Sequence, residues 1–261
     1  MVDLLRRNQA ILEINAVDLK IQSEHDLEKY RTRHLARQSE SLHEFKGNAI
    51  AKVIASNQQI AETSLQLYLQ ALMVTHLLHR VVNTSTLYFS QRQPKELNNF
   101  SWIVDGKDKQ RITKWETWLE WFSKGAISTM SKTKPFMRLI EGDYLHFGKY
   151  DLKDSDGANI GIDIKALFQD FRYSSSPEIG LELVDIVVTA TRRALVGNLN
   201  ATGFNKISSL MIHHRDEYIK FLVFKPDGIN ITQQTSYGSV VQKYFMSGGR
   251  SMVPLSYFED N

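Results

Sequence analysis

The sequence predicts an α/β fold, and three stretches carry that reading. FSWIVDGKD, Phe100 to Asp108, runs aromatic and β-branched residues up to Asp105 and is closed by Gly106, the pattern of a short buried strand. YIKFLVF, Tyr218 to Phe224, is a second clear strand followed by a turn at Pro226–Gly228. Between them SSSPEIGLELVDIVVTATRRALVGNL, Ser174 to Leu199, reads as one helix from Pro177 to about Leu199. Pro177 suits a first helical position, Ser176 can cap, Glu178 falls in the first turn, and Arg192 and Arg193 suit the negative end of the dipole. Leu181, Val184, Val188, Thr191 and Leu195 make one stripe, and Leu183, Val187, Ala190 and Ala194 a second. Apolar character on two sides predicts a buried helix, with Asp185 in its middle.

The remaining elements follow in chain order. Val2 to Leu42 lacks Gly and Pro and is rich in Leu, Ile and Ala, so it predicts helix, broken near Gln22–His25. Glu28 to Lys46 is strongly polar and predicts a solvated or partner-facing helix. Arg31, Arg33, His34 and Arg37 would be its phosphate contacts, but Glu28, Glu40 and Glu44 dilute the charge. From Asn48 to Val82, Ile50, Val53, Ile54, Ile60, Leu65, Leu69, Leu72 and Met73 recur at helical spacing, with a break expected near Ser56–Gln58. His76 and His79 stand three apart without an HExxH pattern, which favours helix-end residues over metal ligands. Thr84 to Asn99 reads as a loop.

Ile112 to Met130 predicts a helix with Trp115, Trp118, Leu119, Phe122 and Ile127 on one side, a core or interface stripe rather than a base-stacking one. Ser131 to Pro135 reads as a turn and Phe136 to Ile140 as a strand, with Asp143 and Tyr144 as further polar candidates. Asp151 to Gly161 reads as a polar loop; its DSDG resembles part of a calcium loop but lacks the closing Glu. Leu167 to Tyr173 predicts a strand feeding the Pro177 helix. Gly197 and Gly203 bracket a turn, Asn205 to Ile212 a short helix, and Tyr237 to Met246 a last helix.

With 261 residues, 42% hydrophobic and 23% charged, the composition is that of a soluble globular protein. Zero cysteines exclude disulfides, thiolate metal sites and a cysteine nucleophile. There is no apolar run long enough for a bilayer and no secretory leader, so no membrane role and a cytoplasmic location are expected. A net charge of +3 neither requires nor forbids nucleic acid. Dinucleotide, P-loop, nucleophile-elbow and zinc-finger motifs are all missing.

What remains is separated carboxylates. Asp105 ends a strand where α/β sites gather, and Asp108 follows as a turn residue or a further ligand. A buried Asp185 would have to be neutral, paired with Arg192, bonded to Thr189, or bound to a metal. Carboxylates of this kind are the raw material of a magnesium or manganese site.

WIVDGKD with KWETWLEWF, EGDYLHFGKY, and SSSPEIGLELVDIVVTATRRALVGNL followed by GFNKISSLM resemble the bacterial family called domain of unknown function 3800, over roughly Phe100 to Met211. The resemblance implies a ribonuclease H-like mixed sheet flanked by helices, as an α/β domain over 47–261 behind a helical N-terminal extension over 1–46. It implies a metal-dependent nuclease or related phosphoryl-transfer role. Asp105 and Asp185 would be the catalytic metal ligands for Mg2+ or Mn2+, with Asp108 a third; Glu182, Arg192, Arg193 and Lys107 would support them. Members of that family usually open with a strand carrying an acidic motif, whereas this chain opens with predicted helix. The sheet is therefore expected to be incomplete, with an open edge for a partner chain or a second copy. The alternative is a catalytically inactive interaction or scaffold protein on the same fold.

Overall fold

The structure, a computed structural model, describes residues 1–44, 46–108, 111–136, 146–153, 155–157, 159–212, 219–231, 238 and 248–253. The expected strand over 136–140, the candidates Asp143 and Tyr144 and the expected helix over 237–246 fall largely or wholly outside them. The fold is mixed α/β, mostly helical, with small sheets and no closed barrel among the described residues.

The N-terminal third corrects the all-helix expectation. Helix α1 (Val2–Arg7) gives way to strand β1 (Ile14–Ala16), which pairs in parallel with β6 (Ile219–Lys225). Leu12, Ile14 and Ala16 pack together on Phe204, Ile207 and Phe221, a period-two pattern hidden in a Leu- and Ile-rich run. Glu13 and Arg80 form an ion pair with both side chains almost wholly buried, and Thr84 donates to the same carboxylate at 2.7 Å. This ties β1 to the helix that carries Arg80 and Thr84. Helix α2 (Glu24–Glu40) starts at the expected break, where Ser23 accepts from the Asp26 N–H at 3.0 Å. It is polar as expected and buries only Leu27. Gln22 donates to Phe224 O at 3.0 Å and accepts from Phe224 N at 2.7 Å, so residues before position 46 share a sheet and core with residues far beyond it.

Helices α3 (Asn48–Glu62) and α4 (Leu65–Ser90) meet at Thr63–Ser64, not at Ser56–Gln58. Ser64 caps α4, with the Leu67 N–H donating to it at 3.4 Å. α4 also runs through the stretch expected to be a loop from Thr84. Its Thr and Tyr residues are buried with partners: Thr86 donates to Val82 O at 3.0 Å, and Tyr88 donates to Gln9 at 2.9 Å. Tertiary bonds outweigh the low helix propensity of that polar stretch.

Strand β2 (Ser101–Asp105) ends where expected. Helix α5 (Lys114–Thr133) buries Trp118, Leu119, Phe122 and Ile127 of the predicted stripe, while its fifth member, Trp115, is half-buried against the same core. β3 (Asp151–Lys153) and β4 (Asn159–Ile162) pair as an antiparallel hairpin where a loop was expected. A short α6 (Ile164–Leu167) takes up the start of the expected Leu167 strand, and β5 covers Asp170–Ser174. Leu167 and Phe168 are core residues instead: Trp102 donates from its ring to Leu167 O at 3.0 Å and stacks on Phe168 at 4.7 Å.

Helix α7 (Ile179–Leu195) begins two residues after Pro177, without the expected Ser176 cap. Glu178 is extended and held in a two-pronged ion pair with Arg172 at 2.5 and 2.9 Å, which stops the helix from starting earlier. α8 (Ala201–Ser208) starts at Asn200, which caps Gly203 N at 2.8 Å, inside the expected turn. β6 turns at Pro226–Asp227, as expected, into β7 (Gly228–Ile231). The sheets are β1–β6–β7, the parallel pair β2–β5 and the β3–β4 hairpin, so the described strands do not join into one mixed sheet.

Candidate functional site

The parallel pair β2–β5 organises the candidate site. Its register sets Asp105 opposite Ser174, and Gly106 N extends the ladder by donating to Ser174 O at 2.8 Å. A Cβ at position 106 would stand 3.4 Å from the Ser174 backbone, an ordinary packing contact. Asp105 is exposed at the carboxyl end of β2.

The loop after it is anchored by a residue that the motif search missed. Glu116 lies in the first turn of α5 and is only 1% exposed. Its carboxylate accepts from Lys107 N at 2.7 Å, Thr113 N at 2.6 Å and Thr113 Oγ1 at 2.7 Å, while Tyr173 donates to its carbonyl at 2.9 Å. Burial works against the charge, but the three donors win and hold the carboxyl below its usual range. The visible signal was the capping box Thr113-Lys114-Trp115-Glu116 ahead of an apolar run. Lys107 is turned back over the Trp115 ring, its ammonium 3.8 Å from the centroid and 3.4 Å from Gln70 Oε1. Asp108 pairs with Arg111 at 3.4 Å, with the Arg111 side chain mostly exposed.

Asp185 overturns the burial expectation. It is exposed, and α7 buries only Val187, Thr191 and Ala194. Ile179, Val184, Ile186, Val188 and Val196 are each more than half exposed, so neither flank of the helix is fully covered. Glu182, Arg192 and Arg193 are exposed as well, and among the described residues Asp185 is neither paired with Arg192 nor bonded to Thr189. Asp185, Ile186, Thr189, Ala190, Arg193 and Leu199 line an open depression of about 340 Å³. α7 packs on α8 and on β2, but Asp105, Lys107 and Asp108 do not line that depression.

The structure thus ties the loop after β2, with Lys107 and Asp108, to Glu116 in the first turn of α5, and sets Asp185 and Arg193 along one depression on α7. A magnesium ion demands near-octahedral oxygen ligands at about 2.0–2.1 Å. No group of three or more His, Asp or Glu that could hold a metal ion occurs among the described residues. His76 and His79 instead pack on Phe224 and Phe136 at 6.1 and 4.9 Å. No helix among the described residues is long and apolar enough to cross a membrane. Comparison with known proteins finds no matching family model, no matching curated protein and no matching solved structure.

Proposed function

We propose that this protein is an interaction or scaffold module whose docking face is α7. One observation carries the reading: a 17-residue helix with apolar side chains exposed on both flanks of a charged ridge. Several large apolar side chains left in water on one helix mark a surface that another molecule covers. The test is the stability of the single chain. Ile186→Ser and Val188→Ser should each move the unfolding free energy by less than about 0.5 kcal/mol, as for surface positions. A loss above about 1.5 kcal/mol in either would mean that the chain already covers these flanks, and the reading would fall.

A second reading is favoured by the parallel β2–β5 pair, which carries Asp105 on its carboxyl rim with α7 packed against β2. This is the metal-dependent nuclease on a ribonuclease H-like core, cytoplasmic, with Mg2+ or Mn2+ and a nucleic-acid substrate. It needs donors beyond those brought together among the described residues. Mg2+- or Mn2+-dependent cleavage of DNA or RNA by the wild type, lost in both Asp105→Asn and Asp185→Asn, would establish it; cleavage equal in all three proteins would remove the assignment.

A further inference from the structure

We infer that α7 pairs with α7 of a second copy of this chain, antiparallel, about a two-fold axis at Thr189. The inference rests on the reading of α7 as a docking face and names its occupant.

The outward ridge of the helix is made by Glu182, Asp185, Thr189, Arg193 and Val196, spaced symmetrically about position 189. On a helix with 3.6 residues per turn these positions form one stripe, opposite the buried Val187, Thr191 and Ala194. Charge is divided across the centre: the acids lie before Thr189, and Arg192 and Arg193 after it. Among the described residues no side chain of this chain pairs with Glu182, Asp185, Arg192 or Arg193. An antiparallel two-fold partner sets Asp185 against Arg193 of the other copy, twice over, and sets Glu182 against Val196. A parallel partner would oppose like charges. Ile186, beside the ridge, then loses water on both copies, whereas Val184 and Val188 stand on the far flank of the helix. The ridge is self-complementary in charge. A single-helix contact sits at the low end of interface size, so micromolar association is the expected range.

Sedimentation equilibrium and light scattering on the full chain, from about 5 to 500 µM at low salt, test this. The wild type should dimerise, with the dissociation constant rising as salt is added. Asp185→Arg alone and Arg193→Asp alone should each weaken the dimer tenfold or more, because each brings two like-charge pairs together. The double variant exchanges the charges and should return to within about threefold of wild type. Unchanged melting of all three variants would show that they fold. A wild type that stays monomeric at 500 µM, single variants with wild-type affinity, or a double variant no better than the singles would each overturn the dimer. None of these results bears on the Ile186 and Val188 stability test, so failure of the dimer and failure of the docking reading are separable.

Discussion

Helix α7 packs on β2, helix α5 is bonded to the neighbouring strand β5 through Tyr173, and the two helices are finished to different degrees. α5 opens on a reciprocal cap, with Thr113 and Glu116 satisfying each other's backbone, and turns Trp118, Leu119, Phe122 and Ile127 into the core. α7 has no side-chain cap, buries three small or medium residues, and leaves Ile179, Val184, Ile186, Val188 and Val196 open. Both helices are amphipathic by sequence. α5 is complete within the single chain, whereas α7 carries more apolar surface than its own chain covers. A buried acid with three donors belongs to the first kind of helix; exposed acids and bases in two halves belong to the second.

The contrast can be broken most severely at Glu116. Glu116→Ala strips the acceptor from two backbone N–H groups and a hydroxyl and removes the acidic half of the capping box, leaving the Thr113 cap. It should cost about 2–4 kcal/mol of stability, from part-buried donors left without their acceptor and the broken capping box. Urea unfolding reads this directly. A loss below about 1 kcal/mol would mean that water reaches those donors and that α5 is not anchored as described.

Acid sharpens the same contrast. His34 hydrogen-bonds with Tyr68 at 2.8 Å and with Gln38 at 2.9 Å, and its ring lies 5.8 Å from that of Phe122 on α5. Burial, with a smaller contribution from Arg37, pushes its pKa down to about 4, and burial likewise lowers His76 to about 4, with His79 and two lysines adding to the shift. Both folded values lie below the ordinary 6.5, so the unfolded chain binds more protons between pH 6.5 and 4. Stability is therefore full above about pH 6.5 and falls as the pH drops towards 4. The loss should be on the order of 1–2 kcal/mol per ring, discounted because each ring keeps some solvent contact. His34→Gln should flatten part of this slope. A pH-independent unfolding midpoint between 7 and 4.5 would contradict the burial of both rings.

The smallest effect is expected on α7. Val188→Ala should change single-chain stability by less than about 0.5 kcal/mol, against several for a core residue of α5. A change as large as that of Phe122→Ala would erase the difference between the helices.

The same contrast explains what the sequence made legible. The end of β2 was readable because Gly106 punctuates an apolar run, and the α5 stripe because four large side chains share one face. The start of α2 was marked by Ser23 and the β6–β7 turn by Pro226 and Gly228. The burial of Asp185 was misread because two apolar stripes show what a helix could bury, not what lies beside it to bury them. β1 was hidden because three residues are too short to separate period two from helix without their partner, Ile219 to Phe221. The continuation of α4 to Ser90 depended on Glu13 and Gln9, some seventy residues away. Glu116 was legible in its capping box, but its grip on Lys107 N required the fold to bring the loop back.

The chain has no cysteine, so a single introduced thiol reports on pairing without background. Thr189→Cys places that thiol on the proposed two-fold axis, and Thr129→Cys places one on the exposed side of α5 as a control. Under mild oxidation at about 50 µM, in the expected micromolar range of association, the first should convert to a disulfide-linked dimer at least tenfold faster than the second, slowing as added salt weakens the charge pairs. Equal, slow cross-linking of both variants would contradict the account of α7 as a face that meets its own copy.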